Sequence, residues 1–417
     1  MAKGHIVTGL DIGTNTIKAL VVQRKGKGWE VLCYQQMPSF GLRRGAVVNP
    51  EETARNVQLL ISGVERDCGR KIKSVFVNIG GSHLHIAPSD GLISVSRADH
   101  IISQEDIDRV LQATRAINIP LNEEILDVFP REFIIDDQKG IKQPLGLTGV
   151  RLETKVVLLC YFQSYYTNLA QAVFNAKLQI NDIVPSPLAA AKAVLTPQQK
   201  EIGVALIDIG SATTSLAVFE EGDLIHFAVF PLGSANITND IAIGLRTEVA
   251  AAEDIKKQYG ACIVAKSEKE KKDIRQSAER KKIEVFDQSH SLSFTKKFLV
   301  DIIEPRVSEI LSLMQKELKS IGRQELLPGG IVLTGGGAKL PKIKDLVKQQ
   351  LKLPCRIGIP EGIMGLEENP ALATVVGLVL EGIDFETGEK EGMLGSPLGF
   401  IKGLGLKFKR MLKVFIP

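Results

Sequence analysis

Short apolar runs broken by glycine dominate the start of the chain. His5-Ile-Val-Thr-Gly-Leu leads into Asp11-Ile-Gly-Thr-Asn and then Ile17-Lys-Ala-Leu-Val-Val, which reads as a strand, a glycine turn and a second strand. The same order returns much later: Val204-Ala-Leu-Ile precedes Asp208-Ile-Gly-Ser-Ala-Thr-Thr, Ser215-Leu-Ala-Val-Phe follows, and Glu221-Gly-Asp makes the next turn. Two copies of one hairpin predict two lobes of similar α/β fold. Between them Ser103 opens a helix with Asp106 at the capping-box position, and Ile107, Val110, Leu111 and Ile117 share its apolar face, with Thr114 the polar member of the stripe. Segments 123 to 135 and 150 to 162 read as strands. Pro185-Ser-Pro ends that segment, and Leu188-Ala-Ala-Ala-Lys-Ala-Val-Leu begins a small-faced helix suited to connecting the lobes. In the second lobe, helices are expected over 246 to 260 and 296 to 320, and Gly330-Ile-Val-Leu-Thr is a buried strand emptying into Gly335-Gly-Gly. From Glu381 to Pro397 the chain turns acidic and glycine-rich, the composition of a linker.

Length and charge refine this. At 417 residues the chain exceeds one typical domain, so a bilobed body or several cores are expected. The formal charge is +4, yet residues 399 to 417 alone carry +5, so the body sums to −1 and gives no ground for nucleic-acid binding. The mixed charge run at 266 to 282 reads as a solvated helix or loop, because acids are interspersed among its bases. Cys33, Cys68, Cys160, Cys262 and Cys355 lie far apart without CxxC spacing, which suits small apolar residues in a reducing compartment better than disulfides or zinc ligands. His83 and His85 alternate like strand residues with a structural or surface role. The start lacks the apolar core of a signal peptide, so an internal protein is expected, and no apolar run reaches the roughly 20 residues of a membrane span.

Each Asp-x-Gly hairpin sets a carboxylate at a strand end and lets backbone N–H groups approach anionic oxygens. Two such hairpins facing each other clamp a polyphosphate, with Asp11 and Asp208 holding magnesium through its waters. Gly13 and Gly210 make the turns, Thr14, Asn15, Ser211 and Thr213 supply donors, and Lys18 acts as a point charge. A third turn, Gly335, Gly336 and Gly337 within Thr334-Gly-Gly-Gly-Ala-Lys, would lay flat backbone against an adenosine. Glu253 and Lys256, one helical turn apart, would face the same ligand, hydrogen-bonding ribose and stacking on the base.

With these residues in order, the chain resembles the superfamily of actin, sugar kinases and DnaK-type chaperones, and within it the FtsA family of cell-division actins. The motifs are Asp11-Ile-Gly-Thr-Asn-Thr-Ile-Lys, Val184-Pro-Ser-Pro-Leu-Ala-Ala-Ala, Asp208-Ile-Gly-Ser-Ala-Thr, Ile331-Val-Leu-Thr-Gly-Gly-Gly-Ala-Lys and Asn369-Pro-Ala-Leu-Ala-Thr-Val-Val-Gly-Leu. The narrower likeness rests on Gly81-Ser-His-Leu-His-Ile, on Phe129-Pro-Arg-Glu-Phe through Val150-Arg-Leu-Glu, and on the basic C-terminal segment. It implies an actin-like two-lobed α/β fold with duplicated ribonuclease H-like domains and an FtsA-type inserted subdomain. The implied division is 1–82 first-lobe core, 83–165 inserted subdomain, 166–202 first-lobe core and connecting helix, 203–235 second-lobe core, 236–298 its small subdomain and 299–362 its second part. A return helix at 363–382, a linker at 383–398 and a membrane-targeting helix at 399–417 complete it.

The resemblance further implies ATP and Mg2+ as ligands, head-to-tail filaments, and tethering of the FtsZ ring to the cytoplasmic face of the membrane at the division site. The partners it implies are the FtsZ C-terminal peptide, later division proteins and an anionic membrane, with no nucleic acid. Related filament actins place a Glu or Gln in the connecting segment to orient the attacking water, whereas Pro185-Ser186-Pro187 has neither, so slow turnover is expected and no catalytic residue is assigned. Ala212 stands where many relatives have glycine. In the terminal segment Phe400, Ile401, Leu404, Phe408, Met411, Leu412 and Phe415 fall on one helix face, Lys402, Lys409, Arg410 and Lys413 on the other, and Lys407 flanks the apolar side, the pattern of an interfacial helix on anionic lipid. Two other readings stay open: a pilus-assembly scaffold of the PilM kind, which lacks such a tail, and a sugar kinase, which needs a catalytic Asp that no motif here supplies.

Overall fold

The computed structural model describes residues 5–26, 28–263, 282–287 and 290–387. The expected interfacial helix at 399–417, and most of the 266–282 charge run, lie outside them. Two five-stranded sheets carry the fold, and they share one topology. In the first, the antiparallel meander Ile6–Ile12, Thr16–Lys25 and Gly28–Pro38 is extended by Ser74–Ile79 and Gln179–Pro185, both parallel to the first strand's direction. In the second, Val204–Ile209, Thr214–Glu220 and Asp223–Phe230 form the meander, and Ile331–Thr334 and Cys355–Ile357 add in parallel. The duplicated hairpin therefore does mark duplicated lobes.

Between Ser74–Ile79 and the helix Gln163–Asn175 the chain builds a separate four-stranded sheet from His85–Ser94, Glu123–Ile135, Gln138–Ile141 and Arg151–Phe162. Its helix, Gln104–Ala113, starts with the expected capping box, Ser103 and Asp106 bonding reciprocally. It stops at Ala113, with Thr114 as the cap, so Ile117 lies beyond it. This inserted unit has small cores of its own and reaches the second lobe through Lys142, whose ammonium meets Asp223 at 2.7 Å and Glu221 at 2.9 Å.

Three boundaries differ from the sequence reading. The connecting helix runs Ser186–Val194, starting two residues before Leu188, because Pro187 sits in the first turn where no N–H donor is required. The segment 246 to 260 is only the second of two helices, Ser234–Leu245 and Val249–Tyr259. They are separated where Arg246 takes a left-handed conformation (φ 54°) and closes the first. The return helix is Ala373–Thr387 rather than 363–382, so it occupies the first five residues assigned to the linker. Packing explains the extension: Ile383 is buried and Phe385 meets Phe76 edge-on at 5.9 Å.

The connecting and return helices cross at the centre, inside a core that includes Leu20 and Val77 of the first sheet and Leu206, Phe219 and Val332 of the second. The contact is backbone on backbone, since a Cβ at Gly377 would collide with the Ala189 carbonyl. Lys192 fixes the crossing from the side, pairing with Asp384 and, at 3.2 Å, with Glu381. Gly377→Ala is therefore expected to lower the urea midpoint by the equivalent of about 1–3 kcal/mol, the usual scale of overpacking. An unchanged midpoint would contradict so close a crossing.

Candidate functional site

Where the two sheets face each other across the crossing helices, a cleft of about 900 Å³ opens. All three glycine turns reach it. Asp11, Gly13, Thr14, Asn15 and Lys18 line it from the first lobe, Asp208, Gly210, Ser211 and Thr213 from the second, and Gly335, Gly336 and Gly337 from the third turn, with Glu253 and Lys256 at the far end. Every residue the sequence proposed for this site thus meets in one space.

The first two turns are built alike. The Gly13 N–H donates to the Thr16 carbonyl at 3.2 Å and the Gly210 N–H to the Thr213 carbonyl at 2.9 Å. A Cβ on either glycine would come within 2.9 Å or 3.0 Å of that same carbonyl, so a side chain would crowd both turns. In the third, Gly335 has φ +83°, and a Cβ there would strike the Asp208 carboxylate and the Ile209 carbonyl. Thr334 anchors this turn by donating its hydroxyl to the Pro370 carbonyl at 2.9 Å.

The two carboxylates differ. Asp11 is buried and meets the Lys18 ammonium at 2.7 Å, so Lys18 already has a partner in this state. Asp208 has no hydrogen bond or ion pair to its side chain among the described residues. Burial pushes its carboxyl up to about 6, the neighbouring Asp11 charge acts in the same direction, and Lys18 opposes them. The cleft therefore contains a carboxylate that gains from any cation brought to it.

At the other end the expectation for Lys256 changes. Its ammonium is buried and bonds to Glu253 (2.6 Å), the Thr238 hydroxyl (2.7 Å) and the Ser234 carbonyl (3.1 Å), so all three of its protons are engaged. It ties the helix Val249–Tyr259 to Ser234–Leu245 and is not placed to stack on a base. Burial alone would raise the Glu253 carboxyl, but Lys256 and Thr238 outweigh it and hold it below its usual value. Glu253 remains partly exposed to the cleft.

Several lining residues escaped the sequence reading. Asn78 accepts the Ile12 N–H at 2.6 Å and donates to the Ser186 hydroxyl at 3.0 Å, locking the first turn to the connecting segment. Gly45 donates its N–H to the Thr14 hydroxyl at 2.9 Å, and Gln36, Gly80, Gly81 and Lys257 also border the cleft. The Gly80-Gly81 pair was a visible signal. Asn78 and Gln36 were not, because neither belongs to a turn or a recognisable motif and each lies within a strand. Among the described residues, no helix is long and apolar enough to cross a membrane.

Comparison with known proteins adds to this geometry. A family model described as cell division protein FtsA matches residues 205–377, and one described as the SHS2 domain inserted in FtsA matches residues 81–160, the separate sheet. The chain is 37% identical over 384 residues to the cell division protein FtsA of Pseudomonas aeruginosa, covering 91% of this chain and 90% of that protein. It is 35% identical over 379 residues to that of Bacillus subtilis, covering 91% and 84%. Among solved structures it resembles a PilM-PilN type IV pilus biogenesis complex (TM-score 0.63, 20% identity, 90% of this chain and 98% of that one). It also resembles MreB5 of Spiroplasma citri bound to ADP (TM-score 0.56, 14% identity, 93% and 99%). Both likenesses establish the actin-like two-lobed fold.

The unpartnered Asp208 yields a pH prediction. Its folded value of about 6 exceeds the usual 3.8, so between those values the folded chain holds a proton that the unfolded chain releases. Stability from this group is therefore lost as pH rises through 6. Asp208→Asn is expected to raise the melting temperature of the nucleotide-free chain by a few degrees at pH 8, with the gain shrinking toward pH 5. An equal gain at both pH values would contradict the assignment.

Proposed function

The chain belongs to the FtsA family of cell-division proteins, and from that premise we propose that it binds ATP with magnesium in the cleft and assembles head to tail. We further propose that it ties the FtsZ ring to the cytoplasmic face of the membrane through residues 399 to 417 and recruits later division proteins. The observation that carries the nucleotide reading is the convergence of three closely packed glycine turns on one cleft around a carboxylate with no hydrogen-bond partner among the described residues. Its size suits a ligand of a nucleotide's bulk. Solved MreB5 structures on the same fold are described as bound to ADP and to AMPPNP.

In this reading Gly13, Thr14, Asn15, Gly210, Ser211 and Thr213 bind the phosphates, and Asp11 and Asp208 hold magnesium through its waters. Gly335, Gly336 and Gly337 border the adenosine, with Glu253 toward the ribose and Lys256 keeping Glu253 in place. A magnesium ion there offsets phosphate charge and the Asp208 carboxylate together. Lys18, which pairs with Asp11 at 2.7 Å and lines the cleft, would be the cation available to the phosphates. Turnover is slow on this account. Ser186 donates its one hydroxyl proton to the Ile79 carbonyl at 3.2 Å and accepts from Asn78, and the segment Pro185-Ser186-Pro187 holds no carboxylate to take a proton from an attacking water. A PilM-like scaffold role would rest on fold likeness alone.

The terminal segment supplies the membrane contact: five cations and no acid, with its apolar residues on one helical face. Each cation near an anionic surface adds about 1 kcal/mol, so single anchors are weak and filaments multiply them. The test is sedimentation with anionic vesicles. Full-length chain with ATP is expected to pellet and to carry the FtsZ C-terminal peptide with it, while a chain ending at Glu391 stays in the supernatant. Equal pelleting of the two would remove the membrane role, and pelleting without the peptide would remove the tether.

A further inference from the structure

His83 is a buried titratable group that the nucleotide reading leaves without a task. It is 6% exposed, and its Nε2 lies 2.9 Å from the Gly80 carbonyl. A carbonyl only accepts, so the ring proton resides on Nε2 and Nδ1 keeps a lone pair. That Nδ1 is buried and has no hydrogen-bond partner. Around it the ring packs on Tyr165 at 4.7 Å and faces Phe162 at 6.3 Å. Burial pushes its pKa down to about 4, so the neutral form persists near neutral pH. Phenylalanine would fill this aromatic site without a stranded polar atom, which is the more stable choice unless the Nε2–H is used.

That N–H acts on backbone that borders the cleft. Gly80 and Gly81 both line it, and Gly81 holds φ +108°, with its missing Cβ position 3.0 Å from the His83 ring. Gly45 lies against the Gly81 backbone so closely that a Cβ there would come within 2.8 Å of the Gly81 nitrogen. Gly45 in turn donates its N–H to the Thr14 hydroxyl at 2.9 Å. Three close contacts thus run from an aromatic shelf to the first phosphate turn.

We infer that His83 is a positioning residue for that turn: by fixing the Gly80 carbonyl it holds the Gly80–Gly81 backbone against Gly45, and Gly45 against Thr14, so the turn is set before a ligand arrives. The functional consequence rests on the nucleotide reading, whereas the positioning itself does not.

The test uses the full chain with His83→Phe, which keeps the ring and removes the donor, and His83→Gln, which keeps a donor of similar reach. Affinity for a fluorescent ATP analogue and amide exchange at Gly45 without nucleotide are measured on both. His83→Phe is expected to weaken binding and to speed Gly45 exchange, each about tenfold, the scale of one lost hydrogen bond, with His83→Gln within about threefold of the wild type. If the Phe variant does not fold, His83→Asn, too short to reach Gly80, is expected to show the same losses. Wild-type exchange in the donor-less variant, or equal losses in the Phe and Gln variants, would overturn the proposal. Should the wild type bind no nucleotide, the proposed function falls, and the exchange pattern still decides the positioning role.

Discussion

The Asp208 carboxylate stands at the end of the strand Val204–Ile209 with Gly335 pressed against it and no hydrogen bond among the described residues to offset its charge. A buried charge in that condition costs stability, and Asp11, already paired to Lys18 nearby, makes the cost greater. Much of the central architecture can be read from this constraint. The third turn must be glycine because the carboxylate occupies the space a side chain needs. The strand ends of both lobes open on the one cleft, where the two carboxylates and the first two glycine turns meet. A cation held between them would relieve that cost, which is the ground on which a metal-bound anion rather than a neutral metabolite is proposed for the cleft.

The crossing of the connecting and return helices determines how far apart those strand ends lie. With Gly377 against the Ala189 backbone, the lobes share one core at the crossing and separate only beyond it. The inserted sheet is tied to the second lobe through Lys142, which pairs with Glu221 and Asp223.

The duplicated hairpin, the inserted unit and the three glycine turns of the candidate site were legible because each left a local mark: an Asp-x-Gly turn, a capping box, a triple glycine. What was not legible depended on packing between distant parts of the chain. Glu253 and Lys256 looked like a ligand-facing pair at helical spacing. The neighbouring helix, with Thr238 and the Ser234 carbonyl, takes up Lys256 instead. The acidic, glycine-rich composition after Glu381 read as a linker, yet Ile383 and Phe385 extend the helix because the first lobe offers them an apolar surface. Asn78 gave no sequence signal, since its importance lies in joining Ile12, 66 residues before it, to Ser186, 108 residues after it.

The central claim is that this cleft is completed by a magnesium-bound nucleotide. Calorimetric titration of ATP into the full-length chain, with Mg2+ and then with EDTA, tests it most directly. The account predicts one site per chain, at least tenfold tighter with magnesium, and loss of that magnesium dependence in Asp208→Asn. Absence of binding, or binding indifferent to both magnesium and Asp208, would contradict it.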